Sequence, residues 1–206
     1  VDELGLAERT LIVLTSDNGP TDWPSYYQRG HTPPGFTGPF YGRKWSLYEG
    51  GIRMPFIARW KGTIPAGQTN DTTVLCGIDL SPTFCRIADV TVDDSIQHDG
   101  LDMYEALLGK AVTRREPIFW QYGKPHAKLM PGTPDFISPS LAIRDGNWKL
   151  LIDPDGSNAQ LYDLASDPQE RKNLLAEHPE SANELWQKIR QWADSVGLDT
   201  EDTDLR

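Results

Sequence analysis

The sequence is poor in the residues that staple a fold or anchor it in a membrane. It holds two cysteines, Cys76 and Cys85, among 206 residues. Two cysteines do not make a disulfide framework and these lack metal-site spacing, so buried free thiols are expected. No apolar run approaches the length of a bilayer crossing. Excess positive charge is missing too. The formal net charge is −10, which argues against a general nucleic-acid binder, a role that needs a basic face. An anionic ligand would therefore be held by a local cluster of cations, with Arg43, Lys44 and Arg53 as candidates. The charged and apolar fractions, 24% and 38%, are those of an ordinary globular chain. The length suits one or two domains.

What is present begins with Leu11-Ile12-Val13-Leu14-Thr15, running into Ser16-Asp17-Asn18-Gly19-Pro20. A continuous apolar run closed by turn residues reads as a central strand of a parallel sheet, covered on both faces, here over residues 10–16. Ligands of open α/β sheets sit beyond the carboxyl ends of such strands. Asp17 and Asn18 stand there with oxygen donors of the kind that hard cations take. Turn chemistry explains the same residues, because Asx side chains bond their own backbone and Gly tolerates positive φ. The chain opens at Val1, without Met, and reads as a piece of something longer. Residues 1–9 read as the tail of an amphipathic helix.

A long loop follows to about Arg43 and carries His31, which lines a ligand pocket or does nothing. Next comes Gly42-Arg43-Lys44-Trp45-Ser46-Leu47-Tyr48-Glu49-Gly50-Gly51-Ile52-Arg53-Met54-Pro55. If this segment is extended, Arg43 and Lys44 point to opposite sides. A second strand is expected at 56–60. Ser81-Pro82 reads as a helix start, with Phe84, Ile87 and Ala88 on one face. Asp102 can cap a short helix at 103–108. After Gly109 the style changes. An aromatic strand at 118–122 is followed by a Pro/Gly-rich loop at 123–140 with His126 and Lys128, either a surface connection or a reach toward a ligand. Asp145-Gly146-Asn147 between apolar runs signals a hairpin, and Gln160 to Leu164 a further strand. Asp167-Pro168-Gln169-Glu170 has the form of a capping box. A last helix near 179–196 aligns Leu185, Trp186, Ile189, Trp192, Ala193 and Val196 on one face, read as core against the small sheet. The acidic tail after Gly197 is expected to fray.

The two segments, Ser16-Asp17-Asn18-Gly19 and Lys44 followed by Glu49-Gly50-Gly51-Ile52-Arg53-Met54-Pro55, together resemble the sulfatase family of the alkaline-phosphatase superfamily. So do Ala142-Ile143-Arg144-Asp145-Gly146-Asn147-Trp148-Lys149-Leu150 and the stretch from Leu161 through Asp167, Glu170 and Asn173 to Leu174, both of which read as architectural. The resemblance implies a sulfuric ester hydrolase acting on an aryl or carbohydrate sulfate. It makes Asp17 and Asn18 ligands of a Ca²⁺ ion and Lys44 the catalytic cation holding a sulfate oxygen, with Arg43 and His31 as substrate contacts. It implies an α/β fold: the end portion of an alkaline-phosphatase-like sheet with flanking helices, residues 1–110. A small antiparallel sheet packed on a C-terminal helix follows, residues 111–206.

The family's nucleophile is a formylglycine made in a C/S-x-P-S/A-x-R motif. Cys76-Gly77-Ile78-Asp79 and Cys85-Arg86-Ile87-Ala88 do not match it. Formylglycine, the remaining metal ligands and the catalytic histidines are then expected in an N-terminal half, which becomes a partner of this chain beside the sulfated small molecule or glycan. Two ligands alone cannot fill the six to eight positions Ca²⁺ prefers. Alternatives are a phosphate or phosphonate ester hydrolase of the same superfamily, and a non-catalytic binding module derived from a sulfatase.

Overall fold

A computed structural model of the chain describes residues 1–21, 35–91, 95, 96, 98–122 and 130–198. Two compact units divide it: residues 1–15 with 55–116, and residues 16–54 with 117–206. The chain passes between the units three times, the last time after residue 116, and both resemblance segments group largely with the C-terminal residues.

In the first unit, β1 (Ile12–Thr15) pairs antiparallel with β2 (Phe56–Arg59) in a two-stranded sheet. This corrects the expectation of a parallel strand covered on both faces. Leu14 is 57% and Ile57 61% exposed, since a lone ribbon supplies no second layer. Residues 1–9 form turns and a short 3₁₀ helix, Ala7–Arg9, in place of the expected α-helix. The helices are α2 (Leu80–Ile87) and α3 (Tyr104–Leu107). The first starts one residue before Ser81, and Phe84 on it is 40% exposed. Buried Asp79 organises this unit. Its carboxylate accepts the Cys76 and Leu101 amides at 2.7 and 2.9 Å and pairs with Arg114 at 2.6 Å. Asp102 accepts the Tyr104 amide at 2.9 Å from one residue before the cap position, which Met103 occupies in place of the expected Asp102. Both cysteines are free and half-buried, less enclosed than expected.

The second unit contains α1 (Glu49–Ile52), β3 (Ile118–Gln121), β4 (Leu141–Asp145), β5 (Trp148–Ile152), β6 (Gln160–Asp163) and α4 (Pro179–Ser195). The four strands form an antiparallel sheet in sequence order. Asp145 faces Trp148 across Gly146-Asn147, the expected hairpin. Side chains alternate between two covered faces. Leu141, Ile143, Leu150, Ile152 and Leu161 pack on Ala182, Leu185 and Ile189 of α4. The Trp192 ring stacks on Phe119 at 5.0 Å, in the core role expected of that stripe, whose last member, Val196, lies past the helix end and is 53% exposed. Ala142, Leu151 and Tyr162 face the other way and pack on Leu47 and Tyr48. Each face has its own cover, which explains why Leu150-Leu151-Ile152 is unbroken by polar residues.

The expected capping box starts no helix. Asp167 accepts the amides of Arg171 and Lys172, and Glu170 takes a left-handed φ of 56° that turns it inward. The tail after residue 198 lies outside the described residues.

Candidate active site

The Asp17-Asn18 turn is built from local polar bonds. Ser16 Oγ donates to the Asn18 carbonyl at 2.9 Å, and Asn18 Nδ2 to the Gly19 carbonyl at 3.1 Å. Asp17 is exposed and Asn18 half-buried. The turn chemistry expected of these residues is therefore realised, and it leaves the Asp17 carboxylate at the surface.

Lys44 and Trp45 occupy the corners of a turn closed by the Ser46 amide donating to the Arg43 carbonyl at 3.1 Å. Trp45 has a φ of 72°, the signature of a type II turn at a position that favours Gly. A bulky residue held there signals backbone strain of the kind found at functional sites. Lys44 Nζ lies 5.8 Å from the centre of the Trp45 ring. The segment is thus a turn, not the extended stretch assumed from sequence, and alternation does not decide where Arg43 and Lys44 point.

Backbone bonds join the two segments. The Lys44 amide donates to the Pro20 carbonyl at 3.1 Å, and the Gly19 amide to the Gly51 carbonyl at 2.8 Å. A Cβ on Gly19 would lie 2.0 Å from the Gly50 carbonyl oxygen, so only glycine permits this approach. The structure thus brings Asp17, Asn18, Arg43 and Lys44 into one unit with a shared backbone core. His31 lies outside the described residues, as do His126 and Lys128. Arg53 is drawn toward Glu49 Oε2 at 3.4 Å, and its guanidinium lies 4.6 Å from the centre of the Phe40 ring.

Asp17 and Asn18 suit a hard cation in kind and fall short in number. Among the described residues no group of three or more His, Cys, Asp or Glu could hold a metal ion. They can form one side of a Ca²⁺ site and no more.

Beneath the turn lies a cluster that sequence reasoning passed over. Lys149 Nζ, fully buried, sits 2.8 Å from Glu49 Oε1 and 2.8 Å from Glu170 Oε1. Glu170 Oε2 accepts the Glu49 amide at 2.6 Å. Burial pushes the Glu170 carboxyl above the usual carboxylate range, and Lys149 only partly offsets this. Burial pushes Glu49 the same way, but the charge and hydrogen bond of Lys149, with Arg144 and Arg53 nearby, bring it below that range. The signal in the sequence was a lysine inside Trp148-Lys149-Leu150-Leu151-Ile152, a charge in a strand with no polar face.

The family profile of N-sulphoglucosamine sulphohydrolase, C-terminal, matches residues 38–195. This chain belongs to the sulfatase family. Its similarity to an N-acetylgalactosamine-6-O-sulfatase of Bacteroides thetaiotaomicron is 31% identity, covering 90% of this chain and 36% of the relative. Human arylsulfatase A is 30% identical, with coverages of 93% and 38%. The chain thus spans under two-fifths of the length of these sulfatases. Among solved structures, one from a study of glycosaminoglycan metabolism by Bacteroides thetaiotaomicron superposes with a TM-score of 0.68 at 29% identity, over 92% of this chain and 40% of the other. Ps i-CgsB in complex with k-i-k-neocarrahexaose gives a TM-score of 0.71 at 25% identity, over 93% and 38%. The mixed α/β architecture ending in an antiparallel sheet and helix is that of these sulfatases. No helix among the described residues is long and apolar enough to cross a membrane.

Proposed function

We propose that this chain supplies part of the active site of a sulfuric ester hydrolase acting on a carbohydrate or aryl sulfate. Lys44 holds a non-bridging sulfate oxygen, and Arg43 contacts a more distal part of the substrate. Asp17 and Asn18 hold one side of a Ca²⁺ ion, whose charge, when bound, offsets that of the sulfate oxygens. His31 is a further substrate contact. The observation that carries the reading is the backbone junction, in which the Lys44 and Gly19 amides tie the two segments together. The names of the sulfatases to which the chain is similar support the substrate class.

The nucleophile comes from sequence beyond these 206 residues, since neither cysteine stands in a formylglycine motif. The purified chain should therefore show no turnover of an aryl sulfate, and specific turnover would contradict this. In the longer enzyme, Lys44→Ala should lower kcat by about two orders of magnitude, roughly 3 kcal/mol, the scale of losing one preorganised contact to a developing oxyanion. Arg43→Ala should cost much less. Equal losses, or none from Lys44→Ala, would sink the assignment. Matched sulfate and phosphate esters in the same assay separate the sulfatase from a phosphate ester hydrolase.

A further inference from the structure

The segment that joins the two halves of the site has little reason to hold its shape. The α1 helix is one turn long and contains Gly50-Gly51. A single turn does not pass the cost of nucleation, and two glycines add to it. Yet α1 receives one of the two backbone ties between the site segments, and the other, from the Lys44 amide to the Pro20 carbonyl, starts in the turn that packs on it. The Gly50 amide donates to the Tyr41 carbonyl at 2.6 Å, and the Gly51 carbonyl accepts the Gly19 amide. A Cβ on Gly51 would lie 2.1 Å from the Ser46 carbonyl oxygen, so the Lys44 turn rests directly on this backbone.

What fixes α1 comes from β5 and from the turn that follows β6. Its first amide, on Glu49, would lack an intrahelical acceptor, and Glu170 Oε2 fills that place. The Glu49 side chain is held by Lys149, on the face of β5 that also carries Leu151 toward Leu47 and Tyr48. Both carboxylates and the ammonium are at least 97% buried as side chains. Such a cluster adds little stability over an apolar filling of the same volume, while it admits few alternative arrangements. A device of this kind suits a place where geometry matters more than stability.

We infer that Glu170 and Lys149 are positioning residues for the sulfate-binding lysine. They clamp α1, and through α1 the Lys44 turn and the Asp17–Gly19 turn, in one register. The two motifs that read as architectural thus serve the site. The inference rests on the proposed role of Lys44, but its test needs no sulfate and no turnover.

Amide hydrogen exchange and lysine ¹³Cε NMR of the whole chain provide the test. In Glu170→Ala, exchange at Gly19, Lys44 and Gly50 should quicken at least about ten-fold relative to Ile189, inside α4, because only amides dependent on the clamp are released. The Lys44 ε-protons, shifted by the nearby Trp45 ring, should move toward their free-lysine position. Glu170→Asp keeps the charge but withdraws it by one methylene, and should give about a three-fold selective change. A purely structural role would instead raise exchange at Ile189 in proportion or leave the Lys44 signal in place. Either result, or no change at the three amides, overturns the inference. If Glu170→Ala does not fold, the same criteria are applied to Glu170→Asp. A sound clamp with an inactive Lys44 would leave this result intact and sink only the functional reading.

Discussion

The β1–β2 ribbon and the β4–β5 hairpin start from similar material, short apolar strands closed by turns, and end differently. Leu14 and Ile57 on the ribbon are more than half exposed, whereas Leu141, Ile143, Leu150 and Leu151 are almost wholly enclosed. The difference lies in what covers the faces. The hairpin sits inside a four-stranded sheet with α4 on one side and Leu47 and Tyr48 on the other. The ribbon has two strands, and among the described residues nothing encloses its Leu14 and Ile57 side chains. An apolar run shows that a strand can be buried; only a second layer buries it.

The sharpest way to break this contrast is Leu161→Ala. Leu161 is 0% exposed in the sheet core, and the cavity should cost about 2–5 kcal/mol in urea unfolding. A loss under about 1 kcal/mol would mean that the sheet is looser than its burial implies. Trp192→Ala comes next. Its ring stacks on Phe119 at 5.0 Å while remaining half-buried, so about 0.5–3 kcal/mol is expected.

The clamp should give the unit a distinct pH response. The folded pKa of Glu170 is raised above its usual 4.5. Its contribution is therefore fully present below the unfolded pKa and lost as pH rises through the folded one. Glu49, with a lowered folded pKa, does the reverse and contributes stability that is lost in acid. Comparing wild type with Glu170→Gln isolates the first effect. The urea midpoint of wild type should gain on the variant as pH falls from neutral toward 4.5. A difference that is flat or reversed would mean that Lys149 outweighs burial.

The smallest effect is expected on the ribbon. Ile57→Thr keeps a β-branched side chain at a 61% exposed position, and should change stability by less than about 0.5 kcal/mol. A loss above about 1.5 kcal/mol would show that this face is covered in the folded protein, erasing the contrast with the hairpin.

Much of the local geometry of the candidate site was legible because it depends on neighbouring residues. Ser16 to Gly19 carry the turn in their own side chains and backbone, and the glycines of Glu49-Gly50-Gly51 announce a close approach. The resemblance named Lys44 but not its setting. Trp45 at positive φ converts an expected extended pair into a turn, against the usual preference for glycine there. Glu170 was read as half of a capping box because Asp-Pro-Gln-Glu has that spacing. Its acceptor role belongs to an amide 121 positions away in sequence, which no local pattern reveals.

The sequence alone determined where strands and turns fall in the C-terminal sheet, the apolar stripe of the last helix and the family of the site. Each of these depends on period, turn residues or a motif a few residues long. The tertiary structure decided which apolar strands are covered, that Lys149 is wholly buried, and that Glu49 and Glu170 share it. The physical reason is the range of the interactions. Backbone preferences act over one turn or one hairpin, whereas burial and the pairing of buried charges depend on groups that folding brings together from distant parts of the chain.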